Sequence, residues 1–257
     1  MVCGVKAPDS IRGYARMILS RQDLQGIAAD VLRDYDRVTH RTATASIDPS
    51  AIAEKVLGLT IAHKRLSMDG LTLGMTSMMP LDISVWEGTS KERFHLDGRT
   101  ILIDSDLVRD EYGSGRYNFT LAHEVGHQIM YMTFPYEYDP LVLRRLTTVH
   151  LRRTESGYRV TDWNEWYADT LASLILMPDQ LVWDCLEYFS LPKRIRSLND
   201  PYPYNQQYRF SQMAKHIGVS KQALSIRLQQ MGVLLNPYTQ RTYTRPIDID
   251  VEEDFCV

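Results

Sequence analysis

The segment that most constrains this chain is residues 120–127, Thr-Leu-Ala-His-Glu-Val-Gly-His, which places two histidines four residues apart with a glutamate between them. Residues four apart lie on the same face of a helix, so both imidazoles can reach one metal ion while the glutamate points at its open side. This is the motif of zinc hydrolases such as metallopeptidases, so we predict that His123 and His127 are metal ligands and that Glu124 is a general base. The motif alone does not supply the third ligand that a catalytic zinc site needs.

An acidic pair, Glu165 and Asp169, lies further along the chain, with Glu165 thirty-eight residues after His127. These two residues are also four apart and therefore share a helical face. A carboxylate added to two histidines gives the His₂Glu set of a catalytic zinc site, whose fourth position is left for water. We predict Zn²⁺ bound by His123, His127 and Glu165, although Mn²⁺ or Fe²⁺ could occupy the same ligands. Asp169 is predicted to accept the free ring N–H of one ligand histidine and so fix its tautomer.

Other interpretations of the motif are weaker. An isolated histidine pair on a surface helix is disfavoured by the acidic pair downstream. A structural zinc site usually has four protein ligands and is rich in cysteine. Here Cys3, Cys185 and Cys256 lie far apart and form neither a Cys-x-x-Cys motif nor a disulfide framework. No third histidine lies six residues after His127, which excludes the metzincin arrangement.

The composition is that of an ordinary globular protein, with 257 residues, 44% hydrophobic and 24% charged. A net charge of −3 and a pI near 6.2 give no general attraction to nucleic acid or to anionic membranes. No apolar run approaches the roughly 18 residues of a transmembrane helix, and residues 1–33 lack the pattern of a signal peptide. We therefore expect a cytoplasmic protein.

Short alternating or β-branched runs between residues 71 and 104 predict a small, twisted, mostly antiparallel sheet. The runs are 71–73, 83–86 and 100–103, and a further short strand is predicted at 59–63. The segment 99–104 is the strand nearest in sequence to the metal helix. Either its free edge binds an extended peptide along a cleft, or it is an interior strand. We predict an α+β fold in which this sheet packs against the metal helices.

Helical periodicity predicts two amphipathic N-terminal helices within residues 10–41 and a further helix over 48–58, with Asp48 as its N-cap. The metal helix is predicted to span about 118–132, with Asn118 as a suitable N-cap. Gly126 weakens that helix by roughly 1 kcal/mol relative to alanine. Its presence indicates the close approach of another backbone or of substrate.

Residues 210–228 have the spacing of a helix-turn-helix, with Ser220 as the N-cap of the second helix. The residues that carry this spacing are Ala214, Gly218, Val219 and Leu224. Four cations could face phosphates, namely Arg209, Lys215, Lys221 and Arg227. However, Arg227 stands where a helix-turn-helix normally needs an apolar residue, and the chain as a whole is acidic. We therefore favour helices that pack on the peptidase or hold its protein substrate over DNA contact.

These patterns divide the chain into four parts. An N-terminal helical segment covers 1–46, and a zinc metallopeptidase domain covers 47–190. A helix-turn-helix-like helical subdomain covers 191–237, and an acidic C-terminal tail, expected to be solvated, covers 238–257.

Three segments together resemble the ImmA/IrrE metallopeptidase family: the motif at 119–127, the strand at 100–104, and the segment from Glu165-x-x-Ala-Asp to Met-Pro178. The resemblance covers about residues 47–234. Its Glu-x-x-x-Asp element is similar to the third-ligand helix of gluzincin metalloproteases, although family members often have asparagine in place of Asp169. The resemblance implies a zinc-dependent endopeptidase that cleaves a helix-turn-helix transcriptional repressor encoded nearby.

In the implied reaction, Glu124 takes a proton from the attacking water and returns it to the leaving amine. Four side chains could donate a hydrogen bond to the developing oxyanion, and the sequence does not choose among Tyr131, His150, Tyr167 and His216. The competing hypothesis is a DNA-binding or protein-binding transcriptional regulator that uses a peptidase-like fold without proteolysis. An adaptor that binds without cutting is a third. The presence of all three ligands and the base favours the peptidase.

Overall fold

The computed structural model describes residues 19–40, 45–109, 114–135, 148–151, 163–195 and 204–235. The helices are α1 (Arg21–Thr39), α2 (Pro49–Ala51), α3 (Ser105–Arg109), α4 (Ser114–Thr133), α5 (Trp163–Leu176), α6 (Asp179–Tyr188), α7 (Tyr204–Ile217) and α8 (Lys221–Gln230). The strands are β1 (Thr60–Lys64), β2 (Thr72–Thr76), β3 (Pro80–Glu87), β4 (Ser90–Asp97), β5 (Thr100–Asp104) and β6 (Thr148–Leu151). The predicted α+β class is confirmed. The first predicted N-terminal helix and the acidic tail lie outside the described residues.

A four-stranded sheet has the order β1-β5-β2-β6, and β3 and β4 form a separate hairpin. β5 runs parallel to β1 and antiparallel to β2, while β2 runs antiparallel to β6. The sheet is therefore mostly antiparallel, as predicted. Because β5 is paired on both sides and buried along its whole length, it is an interior strand. The hypothesis that its free edge binds a peptide is wrong.

The two faces of the sheet are covered by different elements. Ile101 and Ile103 of β5 point into the main core, which the helices complete. Leu102 points the other way and packs with Val85 and Leu96 of the hairpin in a small second core. This alternation follows from the two-residue period of a strand. The helices that carry the candidate ligands therefore all lie on one face of the sheet.

Local capping fixes where the early helices begin. Ser20 caps α1, and its side chain and that of Asp23 form a reciprocal capping box. Asp48 caps α2 by accepting from the backbone N–H of Ser50, as predicted. The helix then continues as a π-helical turn, Ile52–Val56, and Gly58 follows with a left-handed φ of 64°.

The metal helix begins earlier than predicted. α4 starts at Ser114, so Asn118 lies within the helix and is not its N-cap. The side chain of Asn118 instead donates to the backbone carbonyl of Gly218, one hundred residues away (2.9 Å). Sequence spacing favoured Asn118 because asparagine is a common N-cap, whereas here a tertiary contact uses the same amide.

α4 and α5 pack closely at Gly126. A Cβ built on Gly126 would lie 3.0 Å from both the Cα and the carbonyl oxygen of Ala168. The predicted approach of another backbone is therefore confirmed. His127 meets Glu165 while His123 meets Asp169, so the two helices run antiparallel.

We expect Gly126→Ala to destabilise the protein although alanine is the better helix former. The added methyl group would meet backbone atoms that cannot rotate away, and such overpacking costs about 1–3 kcal/mol, against roughly 1 kcal/mol gained in helix propensity. Gly26→Ala in α1 is the matched control, since a Cβ there meets nothing within 4 Å. Chemical denaturation should give a lower midpoint for Gly126→Ala and a higher one for Gly26→Ala. A raised midpoint in both would contradict the close packing.

Candidate metal centre

Three side chains converge between α4 and α5. They are those of His123, His127 and Glu165, called the metal group below. The Nε2 atoms of His123 and His127 are 3.1 Å apart. Glu165 places Oε2 3.2 Å from Nε2 of His123 and Oε1 3.4 Å from Nε2 of His127. Within the described part of the chain, these three residues are the group that could hold a metal ion, and their ligand atoms all lie within 4.8 Å of one another. The predicted ligand set is thus brought together, although its two helices are far apart in sequence.

The spacing of these atoms fits a tetrahedral metal ion. With metal–ligand bonds of about 2.0–2.1 Å, neighbouring ligand atoms in a tetrahedral zinc site are roughly 3.3–3.4 Å apart. The two imidazole Nε2 atoms, 3.1 Å apart, are close to that spacing, and each lies within 3.4 Å of one of the two Glu165 oxygens. The histidine side chains are 1–2% exposed while that of Glu165 is 38% exposed, so the group is reached from solvent on the Glu165 side. The donor set therefore suits a divalent cation with an accessible remaining position.

Asp169 fixes the orientation of one imidazole. Its Oδ1 lies 2.9 Å from Nδ1 of His123, which leaves Nε2 of that ring directed at the metal group. A carboxylate that accepts the other ring N–H of a ligand histidine sets the tautomer and raises the basicity of the ligand. The structure thus places Asp169 where the sequence predicted it.

We expect Asp169→Ala to weaken zinc binding about 10- to 100-fold, because the His123 ring loses the partner that orients it. Asp169→Asn should be milder, since an amide oxygen can still accept from Nδ1. Competition with a chelating dye would measure both dissociation constants. Equal affinities in the wild type and Asp169→Ala would show that this contact does not support metal binding.

Glu124 lies beside the group, and no described residue is a hydrogen-bond partner of its carboxylate. Its side chain is fully buried, and both carboxylate oxygens are inaccessible and unbonded. Buried polar atoms are nearly always paired, so such an orphan requires an explanation such as a water or an ion. The position is the one expected for a base that acts on water at the metal.

A glycine in the neighbouring strand makes room for this carboxylate. A Cβ built on Gly74 of β2 would lie 2.9 Å from Oε1 of Glu124 and 2.8 Å from Cγ2 of Thr120. Gln128, one turn after Glu124, donates to Oγ1 of Thr76 (2.7 Å) and to the carbonyl of Ser77 (3.1 Å), which ties the end of β2 to α4. Sequence reasoning missed both positions. The only available signal was a glycine inside a strand, which often marks close backbone approach.

Proton sharing in the group follows from its burial and contacts. Burial lowers the pKa of His123, but hydrogen bonds to Asp169 and Glu165 outweigh it and raise the pKa to about 10. Burial lowers the pKa of His127. Burial opposes ionisation of Glu165, yet hydrogen bonds from both imidazoles hold its pKa well below the usual range. Burial raises the pKa of Glu124 to about 8, and a cation in the group would favour its ionised form.

The four candidate oxyanion donors lie in different places. Tyr167 is buried and its hydroxyl accepts from the backbone N–H of Leu19 (3.1 Å), which ties the start of α1 to α5. The ring of His216 packs against two aromatic rings of the α6 end, Tyr188 and Phe189. Tyr131 is partly exposed, one turn after His127. His150 pairs with Gly74 in the sheet register, and its side chain is outside the described part of the structure.

None of the described helices combines the length and apolar character needed to cross a membrane. Comparison of the sequence with protein-family models gives no match, and no curated protein matches it significantly. The resemblance to ImmA/IrrE metallopeptidases is therefore based on the sequence motifs alone. The function proposed below is based on the geometry of four residues, His123, His127, Glu165 and Glu124.

Proposed function

We propose that this protein is a zinc-dependent endopeptidase. The observation that carries the proposal is the buried, unpartnered carboxylate of Glu124 beside a His-His-Glu group with the spacing of a metal site. A group that served only to bind a metal for stability would not need an extra carboxylate without hydrogen bonds. The one cysteine among the described residues, Cys185, is buried in the core of α6 and is not part of the metal group, which counts against a closed structural site.

The residues have separate tasks in the proposed reaction. His123, His127 and Glu165 would hold the zinc ion, which supplies Lewis-acid activation of water and of the scissile carbonyl. Glu124 accepts the proton as water attacks the carbonyl carbon, and then delivers it to the leaving amine nitrogen. Asp169 keeps the His123 ring in its ligating tautomer. Gly74 leaves the space that the Glu124 carboxylate occupies, since a Cβ there would lie 2.9 Å from Oε1.

We propose that the substrate is a helix-turn-helix transcriptional repressor. This step rests on the resemblance to ImmA/IrrE metallopeptidases described above. The test is incubation of the zinc-loaded protein with the repressor encoded beside its gene, followed by electrophoresis and mass spectrometry. We expect two repressor fragments from a single cut. An intact repressor after long incubation would contradict this substrate.

The same experiment separates the peptidase from the competing hypothesis. A regulator that uses the peptidase-like fold without proteolysis would shift the mobility of operator DNA or of the repressor and leave every chain intact. We expect cleavage that stops on chelation of zinc and returns when zinc is restored. Binding without cleavage, at any metal loading, would favour the regulator.

A further inference from the structure

The helix-turn-helix-like unit, defined here as α7, α8 and the chain to residue 235, contacts both metal helices at one end. α4 and α5 run antiparallel, so the N-terminal end of α4 lies beside the C-terminal end of α5. From the contact between His123 and Asp169, both Gly115 and Met177 are eight residues further toward that end. We propose that this unit is a brace that fixes α4 against α5 and thereby positions the metal ligands.

The turn between α7 and α8 contacts the start of α4. A Cβ built on Gly115, in the first turn of α4, would lie 2.5 Å from the backbone carbon of Val219 and 2.6 Å from the backbone nitrogen of Ser220. Asn118, one turn later, donates to the carbonyl of Gly218 (2.9 Å). Gly218 itself has a left-handed φ of 80°, so the turn is shaped for this contact. Only a glycine at position 115 allows backbones this close.

The brace meets the end of α5 through Arg227. This arginine of α8 is 2% exposed, and its Nε donates to the carbonyl of Met177 (2.9 Å), directly after α5. Its Nη2 donates to Oδ1 of Asp179 at the start of α6. The prediction that Arg227 faces phosphates is therefore wrong. The charged residue at an apolar position of the helix-turn-helix pattern is explained by these two acceptors, which satisfy a buried guanidinium.

The packing of the unit agrees with a brace. Its apolar side chains belong to the same core as those of α4 and α5; they include Phe210, Met213, Ala214, Ile217, Val219, Leu224 and Leu228. α4 at Gly115 covers the turn of the unit, at the backbone of Val219 and Ser220, whereas Lys221 and Gln222 at the start of α8 are exposed. The contact with α4 therefore uses the turn and not the first residues of α8.

The brace can influence the metal group although it does not touch it. Eight helical residues correspond to about 12 Å, and helices move as nearly rigid rods over such lengths. A small rotation at the braced end therefore shifts His123 and Glu165 relative to each other. Metal ligands tolerate displacements of only about 0.5 Å before the site loosens. Zinc affinity should thus report on the brace, independently of whether the protein cleaves peptides.

The test uses the full chain and zinc alone, with the dissociation constant measured by dye competition at a temperature well below unfolding. Gly115→Ala adds one methyl group at the brace contact, whereas Gly26→Ala adds the same group to α1 in open space. We expect zinc to bind Gly115→Ala at least about tenfold more weakly than wild type, with unchanged helix content by circular dichroism. Gly26→Ala should bind zinc as the wild type does. A folded Gly115→Ala with wild-type affinity would overturn the proposal.

If Gly115→Ala does not fold, variants that remove single side-chain contacts of the brace test the proposal. Asn118→Ala removes only the bond to Gly218, and its zinc affinity should fall about three- to fivefold, which corresponds to one hydrogen bond. Arg227→Met removes the contacts to Met177 and Asp179, and Arg93→Met on the exposed hairpin is its control. Wild-type affinity in Asn118→Ala and in Arg227→Met would contradict the brace.

Discussion

Glu124→Gln is expected to reduce the kcat for peptide-bond hydrolysis about 10²- to 10⁴-fold while zinc stays bound. Glutamine has the shape of glutamate, so it fits beside Gly74 without new contacts. Its amide cannot take a proton from water or deliver one to the leaving amine. Since Glu124 is not one of the three converging ligands, the metal content measured by mass spectrometry should remain at the wild-type level.

The control for this variant is Glu54→Gln, the same chemical change at an exposed residue of the π-helical turn. It should leave both activity and metal content unchanged. Cleavage of the repressor by Glu124→Gln at the wild-type rate would defeat the assignment of Glu124 as the base. Loss of zinc together with activity would instead indicate that Glu124 helps to hold the ion.

His123→Ala and Glu165→Gln are each expected to abolish stoichiometric zinc binding and, with it, all cleavage. Each removes one of the three converging ligand atoms, and two remaining ligands hold the ion far more weakly. At zinc concentrations about 100 times the dissociation constant, binding stabilises the wild type by about 2.7 kcal/mol. For a chain of this size that corresponds to a rise in Tm of roughly 5–10 °C, which both variants should lack.

His95→Ala is the matched control, because His95 is an exposed hairpin histidine that contacts Asp82 outside the metal group (2.8 Å). It should keep both the zinc-dependent rise in Tm and full metal content. A rise in Tm with zinc in His123→Ala or Glu165→Gln, equal to that of the wild type, would mean that the ion binds elsewhere and that the proposed centre is wrong.

Periodicity in the sequence was enough to predict which side chains converge between α4 and α5 in a group that could hold a metal ion. Two histidines and two carboxylates at four-residue spacing imply two helical faces whatever the rest of the fold. The caps at Asp48 and Ser220 were also predictable, because an N-cap is a bond between a side chain and a backbone N–H two or three residues away. These features depend on neighbours in the chain, so they can be read from it.

Other features depended on partners that are distant in sequence. The charged strand β4 forms because β3 lies beside it, and its own residues carry no clear strand signal. The interior place of β5 required both β1 and β2, because each pairs with one of its two edges. From the sequence, Arg227 is expected to be a surface cation, but the structure buries it and supplies Met177 and Asp179 as its acceptors.

By itself, the sequence determined which residues share the helical faces that form a possible metal-binding group, because helical spacing is a local property of the chain. Only the tertiary structure decided that the two ligand helices run antiparallel in direct contact and that Gly74 leaves room for Glu124. The same is true of the turn between α7 and α8, which packs against the start of α4. Those outcomes are set by backbone approach and burial between segments up to about a hundred residues apart, and no local pattern encodes them.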